Sequence, residues 1–136
     1  GPEFSLSHAG PYAVCAIDCL AVGVDVEALR CTMALARRCF HPDELSCLQK
    51  LSSDDQPDVL CRLWTAKEAY CKFCGLGLHL PLASFSVELL ERGAVLHAAA
   101  TDTSVLLHEY WLDSGYRLCL CSKSPRPALT WIDSYT

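Results

Sequence analysis

The chain has 136 residues, 51% of them hydrophobic, with a formal net charge of −5. That length fits one domain, and the acidic balance argues against broad nucleic-acid binding, which needs an excess of Lys and Arg, while leaving a small phosphorylated ligand open. Mean hydropathy is +0.21, yet no stretch reaches the roughly 18 uninterrupted apolar residues of a membrane helix: Asp18 breaks the first candidate, and Thr101 to Ser104 break the second.

Gly1-Pro2-Glu3-Phe4 reads as a protease and cloning remnant, which puts the domain at 5–136 and predicts a native frame that continues upstream. No basic stretch followed by an apolar core marks a signal peptide. Ser5-Leu6-Ser7-His8-Ala9-Gly10 is polar and turn-forming. By itself it is either a frayed end or a phosphate cradle at the edge of a strand. Residues 11–18 and 21–27 alternate as strands do and are joined by a short turn around Asp18-Cys19. A helix is predicted from about Thr32 to Phe40. His41-Pro42-Asp43-Glu44 starts a second, ending near Leu51, because Pro suits the first turn and acids suit the positive end of the helix dipole. Ser52 to Asp55 form a polar loop that caps a long third helix, about 57–74, closed by Gly75. Strand-like segments follow at 84–90, 94–99, 104–112 and 116–122, the last two a hairpin through Asp113-Ser114-Gly115. Strands, then helices, then antiparallel strands make an α+β domain with an antiparallel sheet packed against helices.

Ten cysteines invite a disulfide or zinc reading, but the spacings oppose it. Most are scattered singly in apolar patterns. Cys71-x-x-Cys74 lies in a helical run and Cys119-x-Cys121 in a strand-like one. Reduced thiols, mostly in the core, are expected, and with them a cytoplasmic location.

Two segments carry chemistry. In Val22-Gly23-Val24-Asp25-Val26-Glu27 the acids stand at i and i+2, which places both on one face of a strand and the valines on the other. Two carboxylates facing together repel, so one is protonated or a cation sits between them; a solvated strand end is the plain alternative. In the long helix Leu63, Ala66, Tyr70 and Phe73 form an apolar stripe, while Trp64, Glu68 and Lys72 follow on another face. Glu68 and Lys72 alone would be an ordinary surface pair worth about 0.3–0.5 kcal/mol; the Trp64 ring beside them argues for a covered site. Asp25, Glu27 and Glu68 together supply three hard oxygen donors that suit Mg²⁺, and Lys67, Lys72 and His8 supply positive charge for phosphates.

Ser5-Leu6-Ser7-His8, Val22 to Glu27 and Leu63-Trp64-Thr65-Ala66-Lys67-Glu68-Ala69-Tyr70-Cys71-Lys72, in this order, with Phe40 to Glu44 between them and Gly75-x-Gly77 after the helix, resemble the 4′-phosphopantetheinyl transferase family over roughly residues 5–90. The resemblance implies the single module of that family's fold. It also implies transfer of 4′-phosphopantetheine from coenzyme A to a serine of an acyl or peptidyl carrier protein, with release of 3′,5′-ADP. By the same resemblance Asp25, Glu27 and Glu68 bind Mg²⁺ with the coenzyme A pyrophosphate, Ser7 and His8 contact its 3′-phosphate, and Lys67 and Lys72 contact phosphates. Lys72 would stabilise charge on the pyrophosphate, and Glu68 or a water on the metal would take the serine proton.

The Ser-x-Ser-His and GVDVE pattern is similar to the larger, surfactin-synthetase-activating type, in which two similar halves enclose the site; here the sequence before Ser5 has no counterpart of the first half. The expectation is a C-terminal half or synthase-embedded domain that finds its second wall in an upstream half or in a homo-oligomer, with the apolar segments Ala94 to Ala99 and Ser104 to Trp111 as the sticky face. The alternatives are a non-catalytic half-domain that binds a carrier protein or partner module, and an unrelated Mg²⁺ phosphohydrolase. Neither a membrane nor a nucleic-acid partner is expected.

Overall fold

The structure, a computed structural model, describes residues 1–75, 80–99 and 103–133; the expected Gly77 lies outside them. In chain order the elements are β1 (Glu3–Ala9), β2 (Tyr12–Asp18), β3 (Val22–Ala28), α1 (Met33–Cys39), α2 (Pro42–Gln49), α3 (Gln56–Cys74), a single 3₁₀ turn at Leu82–Ser84, then β4 (Ser86–Leu89), β5 (Ala94–His97), β6 (Leu106–Asp113) and β7 (Tyr116–Ser122). Five strands form one antiparallel sheet in the order β3-β7-β6-β5-β4, and β1 and β2 form a separate hairpin. The α+β reading holds.

Local chemistry explains the helix ends. Thr32 caps α1 by accepting from the Leu35 N–H. His41 and Glu44 form a reciprocal capping box on α2, with Pro42 in its first turn. Gly75 closes α3 at φ 71°, a left-handed position that glycine takes at little cost. Asp55 precedes α3 without a side-chain cap; its carboxylate accepts from Ser52 Oγ instead, at 3.1 Å.

Two cores flank the sheet. The larger lies between the sheet and the helices and includes Leu48, Leu63, Ala66, Tyr70, Phe85 and Cys119. The smaller lies on the opposite face, where Val24, Val26 and Leu118 meet Tyr12, Val14 and Ala16 of the hairpin. The valines of β3 therefore point into a core, as their spacing predicts, but it is the second one.

The sequence reading leaves out β1 as a strand. Its pattern is inverted: Phe4 and Leu6 are 67% and 60% exposed, whereas Ser5 is 8% exposed and faces β3. β2 and β3 are strands as predicted but do not pair with each other. β2 pairs with β1, and β3 with β7. Glu3 and Phe4, read as a remnant, take part in β1 opposite Asp18 and Ile17.

The expected sticky face is also relocated. In β5 and β6 only Val95 and Trp111 rank among the exposed large apolar residues, because the other apolar side chains turn toward the core. Exposed apolar residues gather instead on the outer face of the hairpin, at Phe4, Leu6 and Ile17, and in the C-terminal segment, at Leu129, Trp131 and Ile132. The ten cysteines are free thiols, but Cys15, Cys19 and Cys47 are exposed rather than in the core. Among the described residues no helix is long and apolar enough to cross a membrane.

Candidate active site

Strand alternation turns Gly23, Asp25 and Glu27 toward α3. What lets the strand come close is Gly23. A Cβ there would collide with the Ala69 carbonyl oxygen and the Phe73 backbone nitrogen of α3. With that contact made, Asp25 lies against the helix face that carries Glu68 and, one turn on, Lys72.

Asp25 is 4% exposed. Its Oδ1 accepts from Ser7 Oγ at 3.3 Å and from the Lys72 ammonium at 3.4 Å. Lys72 Nζ also donates to the Leu6 and Val24 carbonyls, each at 3.0 Å, so one ammonium ties β1, β3 and α3 together. The serines of β1 complete the junction. Ser5 Oγ accepts from the Val24 N–H at 3.1 Å and Ser7 Oγ from the Val26 N–H at 3.0 Å. These hydroxyls satisfy the outer edge of β3 in place of a neighbouring strand's backbone. Ser5 escaped the sequence reading; the signal that could have found it is the i, i+2 serine pair on a strand.

The electrostatics around Asp25 disfavour its charged form. Asp25 Oδ2 is buried and has no hydrogen-bond partner. Burial, and then the neighbouring Glu27 carboxylate, push the Asp25 pKa up to about 9, against the opposing pull of Lys72. Glu68 is likewise raised, first by burial and then by Glu27, with Lys72 opposing. Three mutually repelling carboxyls around an unpartnered buried oxygen are the environment a cation would relieve. The donor set fits Mg²⁺, which takes hard oxygens. Among the described residues no group of three His, Cys, Asp or Glu side chains is placed to hold a metal ion; an ion bound at these acids would need water or phosphate oxygens for the rest of its sphere, as Mg²⁺ commonly does.

Beside the acids Trp64 stacks on Phe40 at 6.1 Å and lines, with Glu27, Arg30 and Leu35, a recess of about 230 Å³. The tryptophan thus forms a wall next to the acids, as its place on the helix face suggests.

Two predicted groups are not brought to this point. His8 is exposed, and alternation along β1 sends it to the face opposite Ser7. Lys67 requires a correction: it is wholly buried and faces the other way. Its ammonium lies 2.9 Å from Glu44 Oε1 and donates to the Phe85 carbonyl at 2.7 Å, with the Phe85 ring centroid 4.1 Å away. Burial lowers its pKa and the Glu44 carboxylate opposes that. A lysine held this way has no reach to a phosphate; it fixes α3 against α2 and β4. Lys67→Ala is expected to cost about 3–5 kcal/mol in chemical denaturation, since it strands the buried Glu44 carboxylate. A loss under about 1 kcal/mol would remove the structural role.

The comparisons with known proteins point to one family. A family model described as the 4′-phosphopantetheinyl transferase superfamily matches residues 21–121. A 4′-phosphopantetheinyl transferase of Bacillus subtilis is 38% identical over 125 residues, which cover 90% of this chain and 56% of that protein. The chain thus spans about half the length of the curated relatives it matches. Among solved structures, the holo-[acyl-carrier-protein] synthase of Thermotoga maritima superposes with a TM-score of 0.61 at 18% identity, over 75% of this chain and 61% of that one. The corresponding synthase of Bacillus anthracis, in complex with CoA (3′,5′-ADP), gives 0.57 at 17% identity, over 75% and 93%. At such identities the superpositions speak to the fold.

Proposed function

Because the chain belongs to the 4′-phosphopantetheinyl transferase superfamily, we propose that it transfers the phosphopantetheine arm of coenzyme A to a serine hydroxyl of an acyl or peptidyl carrier protein and releases 3′,5′-ADP. The observation that carries this reading is the unpartnered, buried Oδ2 of Asp25, whose pKa, like that of Glu68, is raised by burial and by the neighbouring Glu27 carboxylate. Lys72, the cation beside them, is 34% exposed at its side chain.

In the reaction a bond forms between the serine Oγ and the phosphorus that bears pantetheine, and the bond from that phosphorus to 3′,5′-ADP breaks. Glu68, on the face of α3 that meets Asp25, or a water held beside it receives the serine proton. Lys72 sets a positive charge where the pyrophosphate gains negative charge. Ser7 is already held by the Val26 N–H and Asp25, so its part is to orient Asp25, while His8 on the exposed strand meets the 3′-phosphate. Bound among Asp25, Glu27 and Glu68, Mg²⁺ would neutralise charge on the pyrophosphate oxygens. The second wall of the cleft comes from an upstream half or from a second copy of this chain, and the exposed Leu6 and Ile17 on the hairpin offer an apolar surface for that contact. Free thiols fit a reducing, cytoplasmic setting.

Calorimetric titration of coenzyme A with Mg²⁺ and with EDTA tests the reading. Binding is expected to weaken at least about tenfold without the metal, or about 1.4 kcal/mol. Equal affinity under both conditions, or wild-type binding by Asp25→Ala, would overturn it.

A further inference from the structure

Strand β4 is the outer strand of the sheet at the end opposite β3. Among the described residues its outward backbone groups are met only in part. Phe85 C=O accepts from Lys67 at 2.7 Å, and Val87 N–H donates to Glu44 Oε2 at 2.7 Å. The buried ion pair therefore stands in for a neighbouring strand along the first part of the edge. Antiparallel strands turn successive residues alternately toward and away from a neighbour. With Val87 facing out and Leu90 N–H turned back to Gly93 C=O at 2.9 Å, Val87 C=O and the N–H and C=O of Leu89 face out as well. Val87 C=O and Leu89 N–H are the acceptor and donor that one residue of an added strand would engage.

These groups run along a cavity of about 620 Å³ between β4 and the helices. Leu51, Val59 and Leu63 supply its apolar lining, and Asp43, Glu88 and Glu91 give it acidic groups, Glu88 with its Oε1 2.9 Å from Nε2 of His97, which also lines the cavity. Arg62 also lines it, but its guanidinium is taken by Glu109 at 2.8 Å. None of the lining residues belongs to the Asp25 site, so an occupant would leave that site open.

We propose that this edge is a docking site for an extended segment of a partner protein, with basic side chains alternating with apolar ones, that adds as a sixth strand. Main-chain bonds to Val87 and Leu89 supply register, the apolar lining takes alternate side chains, and the acids select lysine or arginine. The charge of the groove opposes a second copy of this acidic chain.

The probe is fluorescein-labelled acetyl-Lys-Val-Lys-Val-Lys-Val-Lys-amide, followed by anisotropy at low salt, with a Glu-Val peptide of the same length as control. The basic peptide is expected to bind at least about tenfold more tightly than the acidic one. Glu88→Lys combined with Glu91→Lys is expected to lose about tenfold. Leu89→Pro removes one outward N–H without touching the ladder to β5, a substitution edge strands tolerate, and is expected to lose about fivefold. If that variant does not fold by circular dichroism, a peptide N-methylated at alternate residues puts the same question from the other side. Equal affinity for the two peptides, or wild-type binding by Leu89→Pro or by the N-methylated peptide, overturns the proposal. So does self-association in ultracentrifugation that Leu89→Pro abolishes while no peptide binds.

Discussion

Replacing Asp25 with Asn is expected to raise the melting temperature by about 3–8 °C at pH 7 without divalent cation, and to abolish Mg²⁺-dependent binding of coenzyme A. The two effects share one cause. Asp25 has a folded pKa of about 9 against an ordinary 3.8, with burial as the largest contribution and Glu27 next. A carboxyl raised in this way holds more protons folded than unfolded between those two values. Stability therefore falls as pH rises through that window and is least compromised below about pH 4. Asparagine keeps an acceptor for Ser7 and Lys72 and carries no charge to bury. The melting-temperature gap between variant and wild type should then be small near pH 4 and widen toward pH 8. With Mg²⁺ present the wild type recovers part of the gap and the variant does not. Thermal melts of both proteins at two pH values, with Mg²⁺ and with EDTA, check this. A variant less stable than the wild type at pH 8 in EDTA would show that the acid is not strained by its surroundings.

Gly23→Ala should cost about 3 kcal/mol or more, a drop of roughly 10–15 °C in melting temperature. The added methyl meets backbone atoms of α3, the Ala69 oxygen and the Phe73 nitrogen, rather than a side chain that can turn aside. Relief requires the helix and strand to separate, and that moves Glu68 and Lys72 from Asp25. Binding of coenzyme A should therefore fall even at temperatures where the variant stays folded. Gly115→Ala is the control, because the nearest atom its Cβ would meet is Asp113 Oδ1 at 3.5 Å, an ordinary contact. A Gly23→Ala protein that melts within about 2 °C of wild type would contradict the close approach on which the site depends.

The sequence by itself determined the helices, six of the seven strands and the shared face of Asp25 and Glu27 on β3. Each rests on a local rule: helical period and caps for α1 to α3, alternation for β2 to β7, and i, i+2 spacing for Asp25 and Glu27. Local rules fail where a residue's environment is set by a distant segment. β1 was hidden because a hairpin lying over β3 buries Ser5, half-buries Ser7 and exposes Phe4 and Leu6, the reverse of the pattern by which a strand is recognised. Lys67 follows the same logic. Lys67 and Glu68 are neighbours in sequence, but adjacent residues on a helix point about 100° apart. Only the packing of α2 and β4 on one side of α3, and of β3 on the other, decided that Lys67 enters the core with Glu44 while Glu68 and Lys72 face Asp25. Residue types and spacing could identify the charges, but which of them meet is fixed by the rotation of α3 about its own axis, and that is a property of what packs against it.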